Sequence, residues 1–98
     1  MIAGENGDKE LEAICYRDLG DTFQSLCEYV KAQESFEKAL VIAGKNGNKE
    51  LEATCYERLG DTFQSLCEYA KAKESFDNAL VIARENGDKE LELSLIHI

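Results

Sequence analysis

The sequence predicts an all-α protein, an α-solenoid of antiparallel helix pairs. The first observation is a tandem repeat: residues 1–40 and 41–80 differ at only ten positions, and a third copy begins at Val81 with VIARENGDKELE. A repeat period between about 20 and 50 residues is typical of solenoids and similar stacked architectures. The second observation is the helical spacing of apolar residues within each copy, and the third is the short turn signals between the helical stretches.

The first helix of each copy is indicated by apolar residues at steps of four or three. In the first copy they are Leu11, Cys15, Leu19, Phe23 and Leu26. We expect this helix to begin near residue 8, because the side chain of Asp8 can accept backbone N–H bonds as an N-cap. Glu10 and Glu12 follow in the first turn, where the helix dipole favours negative charge. Asn48 and Asp88 repeat the cap.

The second helix carries the same spacing. Its apolar residues in the first copy are Tyr29, Ala32, Phe36, Ala39 and Ala43. We expect it to end near Gly44, where GKNGN supplies glycines that tolerate left-handed backbone angles. The link between the two helices, around Cys27 and Glu28, is short, so the helices must pack antiparallel.

Composition and charge exclude several classes of protein. The 98 residues carry 20 acidic and 11 basic side chains, a net charge of −9, which argues against a nucleic-acid partner or an anionic lipid surface. The longest apolar run, residues 39–43, is too short for membrane insertion, and the N-terminus has no secretory signal pattern. We predict a cytoplasmic protein. The charge favours a solvated helical surface, and an acidic docking face for a basic ligand is the alternative.

The four cysteines do not form a metal or disulfide pattern. Cys15, Cys27, Cys55 and Cys67 include no close pair of the kind that a structural zinc site uses, and His97 is the only histidine. On one helix, Cys15 and Cys27 would lie ~18 Å apart, against the ~6 Å that a disulfide tolerates between Cα atoms. We therefore expect no metal and no cofactor, and we interpret the cysteines as buried or half-buried apolar residues in a reducing compartment.

One set of residues in each copy resembles the tetratricopeptide-repeat signature. The set is Tyr16, Leu19, Gly20, Phe23, Ala32, Phe36 and Ala39, repeated as Tyr56, Leu59, Gly60, Phe63, Ala72, Phe76 and Ala79. We expect these residues to pack the repeats. Gly20 and Ala32 are small where two helices cross closely, and Tyr16, Phe23 and Phe36 fill the spaces between helices.

The period of forty residues departs from the common period of about 34, and Gly44 and Arg84 replace the usual proline. The long period resembles that of Pins-type G-protein-signalling modulators. Those relatives are adaptors that bind partner peptides along a concave groove. The resemblance therefore implies an interaction scaffold that binds a protein or peptide partner. It also implies that this partner can belong to G-protein signalling.

The resemblance also implies where a partner would bind. The groove would be lined by the first helices, on residues with i, i+4, i+7 spacing: Arg17, Asp21, Gln24, Glu57, Asp61 and Gln64. The copies differ here, since Arg17 and Asp18 correspond to Glu57 and Arg58. Either the repeats contact different points of one peptide, or a solvated surface has drifted after duplication.

The chaperone-adaptor members of this family clamp a C-terminal carboxylate with a lysine and an asparagine four residues apart. Here those positions hold Arg17 with Asp21 and Glu57 with Asp61. Aspartates would repel a carboxylate, so we expect a basic or polar extended peptide instead.

The sequence gives no support for catalysis, because no nucleophile stands beside a histidine and no glycine-rich phosphate loop is present. We predict that the protein is not an enzyme. The alternative to a peptide-binding scaffold is a structural spacer, or the sensor arm of a larger signalling protein, in which no peptide groove is used.

We divide the chain at the repeat boundaries and interpret it as a fragment of a longer array. Residues 1–7 would end a preceding repeat, 8–47 and 48–87 would be two full repeats, and 88–92 would start another. The end, LSLIHI, has no counterpart in either copy and resembles a translated sequencing adapter, so we interpret residues 93–98 as a non-native tail. Because stacked arrays gain stability between repeats, we expect marginal stability or self-association through the exposed ends.

Overall fold

The computed structural model describes the backbone of residues 5–96, and the side chains of 8–93, 95 and 96. This part of the chain folds into five helices with no strand: α1 (Glu5–Ser25), α2 (Tyr29–Asn46), α3 (Lys49–Ser65), α4 (Tyr69–Asn86) and α5 (Lys89–Ile96). Helices α1 and α2 form one antiparallel pair, α3 and α4 form the next, and α5 begins a third. The predicted fold class, an all-α solenoid of antiparallel helix pairs, is confirmed.

The helices stack in the order of the chain. Helix α2 packs on both α1 and α3, and α4 packs on both α3 and α5. The molecule measures 45 × 32 × 18 Å, and its thinnest dimension corresponds to about two helix diameters of ~10 Å. Because each second helix contacts the first helix of its own pair and that of the next pair, the core is continuous along the stack.

A glycine lies at the crossing point of each helix pair. A Cβ atom on Gly20 would lie 2.6 Å from Cε1 of Phe36, and a Cβ on Gly60 would lie 2.5 Å from Cε1 of Phe76. Real Cβ atoms do not approach carbon this closely, so only glycine lets the ring of the second helix reach the backbone of the first. The Phe36 ring is completely buried by this contact and by its neighbours.

The interface between the two repeats is made by alanines of α2 and larger residues of α3. Ala39 and Ala43 pack with Leu51 and Cys55 in one core cluster. Ala32 and Phe36 pack with Leu59 and Phe63 in the next. Small side chains on one helix and large ones on the other let the two helices approach closely without leaving voids.

The same residues are exposed where the stack ends. Leu51 and Leu59 of α3 are 5% and 3% exposed, whereas the equivalent Leu11 and Leu19 of α1 are 59% and 44% exposed. The difference arises because α2 covers α3, while no second helix in the described chain covers the equivalent face of α1. Leu19 therefore departs from its expected packing role.

The link between repeats consists of two residues. Gly47 has a φ of 70°, in the left-handed region, and its N–H donates to the Gly44 carbonyl at 3.2 Å. The Asn48 N–H donates to the Ala43 carbonyl at 2.9 Å, which completes a Schellman motif. The Asn48 side chain then accepts the N–H of Leu51 at 3.1 Å, so that Asn48 closes α2 and caps α3.

The predicted caps are confirmed at two of their three positions. Asn48 caps α3, and the Asp88 carboxylate accepts the Leu91 N–H at 3.0 Å. In the first copy, α1 begins at Glu5, so Asp8 lies inside the helix and the expected start at residue 8 is wrong. The Ala43 carbonyl accepts the Asn48 N–H, and the Gly44 carbonyl accepts the Gly47 N–H. The counterparts of Ala43 and Gly44 in the first copy, with the rest of residues 1–4, lie outside the described chain.

The turn within each pair places a cysteine in an unusual backbone conformation. Cys27 and Cys67 both have a φ of 61°, although left-handed angles favour glycine. The Cys27 N–H donates to the Gln24 carbonyl at 2.9 Å, and the Glu28 N–H donates to the Phe23 carbonyl at 2.8 Å. These two bonds form a second Schellman motif, which reverses the chain in three residues.

The interpretation of the cysteines as buried residues is wrong for three of the four. Cys55 is buried against α2, whereas Cys15, Cys27 and Cys67 are exposed. Cys15 is exposed because it lies on the uncovered face of α1, and the other two are exposed because they lie in turns. Burial raises the pKa of the Cys55 thiol to about 11, so this thiol stays protonated at neutral pH.

We predict opposite effects of adding a methyl group at two helical glycines. Gly20→Ala should lower the free energy of unfolding by about 1–3 kcal/mol, because the buried Phe36 ring has no room to move. Gly44→Ala is the matched control, since its Cβ would meet only Glu52 Oε2 at 3.7 Å, and it should raise stability by about 0.5–1 kcal/mol. Urea denaturation followed by circular dichroism measures both. Equal effects of the two variants would contradict the proposed crossing contact.

Thiol labelling tests the burial of Cys55. In the folded protein at neutral pH we expect rapid reaction of Cys15, Cys27 and Cys67 with a thiol reagent, and slow reaction of Cys55, because only the thiolate reacts. Unfolding in guanidinium should make the fourth thiol as fast as the others. Mass spectrometry of the labelled peptides assigns each rate, and rapid labelling of native Cys55 would contradict its burial.

Candidate functional site

The first helices present a continuous polar face, which we call the first-helix face and define by Arg17, Asp21 and Gln24 on α1 together with Glu57 and Asp61 on α3. Two open cavities lie along it. One, of about 380 Å³, includes Arg17 of α1 together with residues of α3 and α5. The other, of about 590 Å³, includes Asp21 and Gln24. The face therefore runs across successive repeats.

Two of the predicted groove residues hold the repeats together. Asp21 Oδ1 accepts a hydrogen bond from Arg58 Nη1 at 2.8 Å, and Gln24 Oε1 accepts one from the Thr62 hydroxyl at 2.6 Å. Thr62 is completely buried. Both bonds run from α3 to α1, so these polar side chains connect neighbouring first helices.

Arg58 is a site residue that the sequence analysis did not select. It occupies the position of Asp18 in the first copy, one of the ten differences between the copies. In the structure its guanidinium reaches Asp21, and both side chains remain more than a third exposed at the edge of the larger cavity. The change from Asp18 to Arg58 is the feature of the sequence that could have identified Arg58. An arginine at this position can bind the aspartate, Asp21 or Asp61, that both copies carry.

Glu57 and Asp61 lie half-buried on α3, one helical turn apart. Burial raises the pKa of the Glu57 carboxyl, and the Asp61 charge adds to that effect while Arg58 opposes it. Burial likewise raises the pKa of the Asp61 carboxyl, against the opposing charge of Arg58. Ionisation of both groups at neutral pH therefore costs free energy that a nearby cation would offset.

The remaining two predicted residues lie towards the edges of the face. Arg17 Nη2 lies 3.1 Å from Oδ1 of Asp18 on its own helix. Gln64 is exposed and lines a separate cavity of about 310 Å³ with Phe76 and Leu95. The structure thus brings Asp21 and Gln24 together with Arg58, and it leaves Gln64 apart from them.

The surface around the first-helix face has an acidic excess. Among the residues of α1 and α3 that form this face or line its two cavities, the carboxylates outnumber the arginines: Glu10, Asp21, Glu50, Glu57 and Asp61 stand against Arg17 and Arg58. Within the described residues, no group of three or more histidine, cysteine or acidic side chains is placed to hold a metal ion. None of the described helices is both long and apolar enough to cross a membrane.

A family model described as tetratricopeptide repeat matches residues 16–85. The matched segment begins in the middle of α1 and reaches the last turn of α4, so it covers the packing residues of both helix pairs. A comparison with curated proteins finds no match.

We predict that the ion pair between Asp21 and Arg58 contributes modestly to stability. A double-mutant cycle with Asp21→Asn and Arg58→Met should give a coupling energy of about 0.5 kcal/mol, because partly exposed pairs are screened by solvent. Denaturation in high salt should reduce this value. A coupling energy of zero at low salt would show that the two side chains do not act on each other.

Proposed function

The chain belongs to the tetratricopeptide-repeat family, and we propose that it is a scaffold that binds an extended, predominantly basic peptide across the first-helix face. Repeats of this family generally mediate protein–protein interactions. The observation that carries the proposal is the pair of half-buried carboxylates, Glu57 and Asp61, one helical turn apart on α3. Their raised pKa values mean that a cationic partner would gain more here than at a fully solvated carboxylate.

The shape of the face supports an extended ligand. The two cavities follow α1 and α3 from their N-terminal to their C-terminal halves, and polar side chains line both. A peptide without internal hydrogen bonds can offer its own backbone groups to such side chains, including the Gln24 amide and the Ser65 hydroxyl. In this proposal the face is the concave groove of the array, and Arg17, Asp21, Gln24, Glu57 and Asp61 contact the peptide. The sixth predicted residue, Gln64, lines the separate cavity beside Phe76 and Leu95 and is not part of this contact.

The differences between copies support recognition of unlike points on one peptide. Arg17 in the first repeat corresponds to Glu57 in the second, so equivalent positions present opposite charges. A ligand with an acidic or polar residue near α1 and basic residues near α3 would match both. From the resemblance of the forty-residue period to Pins-type arrays, we further propose an adaptor whose partner relates to G-protein signalling. The proposal also places the protein in the cytoplasm and gives it no catalytic role.

A second candidate function is a structural spacer or sensor arm that joins other copies through its ends. The observation that favours it is the uncovered apolar face of α1, where Leu11 and Leu19 are exposed. In this function the first-helix face is solvated surface, and the protein self-associates through its repeat ends.

Peptide binding separates the two candidates. The probe is a fluorescent peptide of alternating lysine and serine, with an alternating glutamate and serine peptide as the charge control. We expect saturable binding of the basic peptide alone, weakened about tenfold by the double variant Glu57→Gln with Asp61→Asn. The matched control is Glu74→Gln with Glu85→Gln, which removes the same two charges from exposed positions on α4 and should leave binding unchanged.

The pH dependence and the stability of the variant add independent tests. Protonation removes the negative charges, so binding should weaken as the pH falls through the raised pKa values of Glu57 and Asp61. Because a raised carboxyl pKa makes ionisation unfavourable in the folded state, the double variant should also have a higher melting temperature at neutral pH. Equal weakening by the α4 control variant would overturn the proposal.

A further inference from the structure

We infer that α5 is a displaceable cap on α4, and that a second copy of this chain can dock the outer face of its α1 in the place of α5. We define the outer face of α1 by Leu11, Cys15, Leu19 and Phe23. The inference rests on the second candidate function, association through the repeat ends, and it names the two surfaces and the segment that competes for one of them.

The outer face of α1 is a copy of a surface whose partner is visible in the structure. Leu51, Cys55, Leu59 and Phe63 of α3 are identical in type and order to the four residues of the outer face. In α3 all four are buried against α2. A helix with the same side chains as α2, small residues around one phenylalanine, would therefore complement the outer face of α1.

Helix α4 carries that chemistry at the other end of the molecule. Its residues Ala72, Phe76, Ala79 and Ala83 correspond to Ala32, Phe36, Ala39 and Ala43 of α2, the residues that pack against α3. One molecule therefore holds both halves of the repeat interface at opposite ends. In the α1 half, Leu11, Cys15 and Leu19 are exposed and Phe23 is half-buried, and the α4 half is partly covered.

The cover on α4 is incomplete. Leu95 of α5 is 7% exposed and packs with Ala79 and Ala83, in the position that Cys55 takes between the repeats. Beyond Leu95, a cavity of about 310 Å³ is lined by Ala72 and Phe76, whose counterparts in α2 are packed by Leu59 and Phe63. Phe36 is fully buried, whereas Phe76 is only half-buried.

A second copy would complete this interface. With α5 displaced, Leu11 and Cys15 of the incoming α1 replace Leu91 and Leu95, while Leu19 and Phe23 fill the cavity. Helix α5 has the advantage of covalent attachment, but its described part has eight residues, a length at which an isolated helix is marginal in water. Displacement should therefore require a high protein concentration.

The geometry also fixes the kind of assembly. Each copy offers one α1 face and one α4 face, so the contact is heterologous and can continue beyond a dimer. The net charge of −9 opposes association of like chains, so added salt should strengthen it. Binding of a basic peptide to the acidic first-helix face should instead weaken with salt.

Sedimentation velocity over a range of protein concentrations tests the inference with three variants of the 98-residue chain. Leu19→Glu adds a charge to a side chain that is already exposed in the single molecule, and it should weaken association by at least about tenfold. Val81→Glu makes the same kind of change at an exposed position of α4 outside both surfaces, and it should have no effect. Leu95→Glu loosens the cap and should strengthen association about tenfold.

Two further readouts identify the surfaces. The Leu19→Glu chain keeps its α4 face, so adding it to the unmodified protein should shorten the assemblies by ending them. Cys15 should lose its reactivity towards a thiol reagent as concentration rises, because its counterpart Cys55 is buried in the same contact, while Cys27 and Cys67 stay reactive. If Leu95→Glu does not fold, as judged by circular dichroism, these two readouts and the comparison of Leu19→Glu with Val81→Glu still decide whether the outer face of α1 docks on a second copy.

Three results would overturn the inference. If the protein has the mass of a single molecule at every concentration, copies do not associate through their ends and α5 is not displaced by a second copy. Weakening by Leu19→Glu with no strengthening by a folded Leu95→Glu chain would leave association through the ends intact and exclude displacement of α5. Equal weakening by Leu19→Glu and Val81→Glu would show that added charge alone, rather than the outer face of α1, controls association.

Discussion

The contact between a first-helix glycine and a second-helix phenylalanine determines how each repeat is built. Because the Phe36 ring occupies the space that a Cβ on Gly20 would fill, the two helices can pack this closely only with glycine at position 20. Phe36 also shares a core cluster with Leu59 and Phe63 of the next repeat. One contact therefore sets both the geometry within a pair and the position of the surface that receives the next pair.

The position of a residue in the stack, rather than its type, decides what it can do. Leu19 and Leu59 are the same residue in the same local sequence, yet one is an exposed surface residue and the other is core. The polar face behaves differently, since Asp21 binds Arg58 while Asp61 lies half-buried with a raised pKa. An array of near-identical units thus acquires unlike surfaces at its ends and along its first helices, and both proposals for function depend on that asymmetry.

Much of this fold could be predicted from the sequence because the signals for it are local. Helical spacing, the cap residues Asn48 and Asp88, and the glycine turns need only a few neighbouring residues to be interpreted. The exposure of Cys15 and the role of Arg58 could not be predicted in this way, because both depend on which helix lies opposite. Asp8 illustrates the same limit: a residue with the right chemistry for a cap lies inside α1, and Asn48 acts as a cap where Gly47 has just ended the previous helix. Of the candidate site, the first-helix residues were identifiable, but the bond that ties Asp21 to the next repeat was not.

The link at Gly47 and Asn48 has little conformational freedom, because hydrogen bonds fix both residues. The Ala43 carbonyl of α2 fixes the backbone of Asn48, and the Asn48 side chain fixes the first turn of α3, so these bonds set the direction in which α3 leaves α2. Asp88 repeats the arrangement after Gly87, which has the same φ of 70°. Any series of such units would therefore advance by a constant angle, and its superhelical pitch would be inherited from these links. A substitution that changes the rotation at each link would add the same angular change at every repeat, so a small local change would alter the pitch of the whole superhelix.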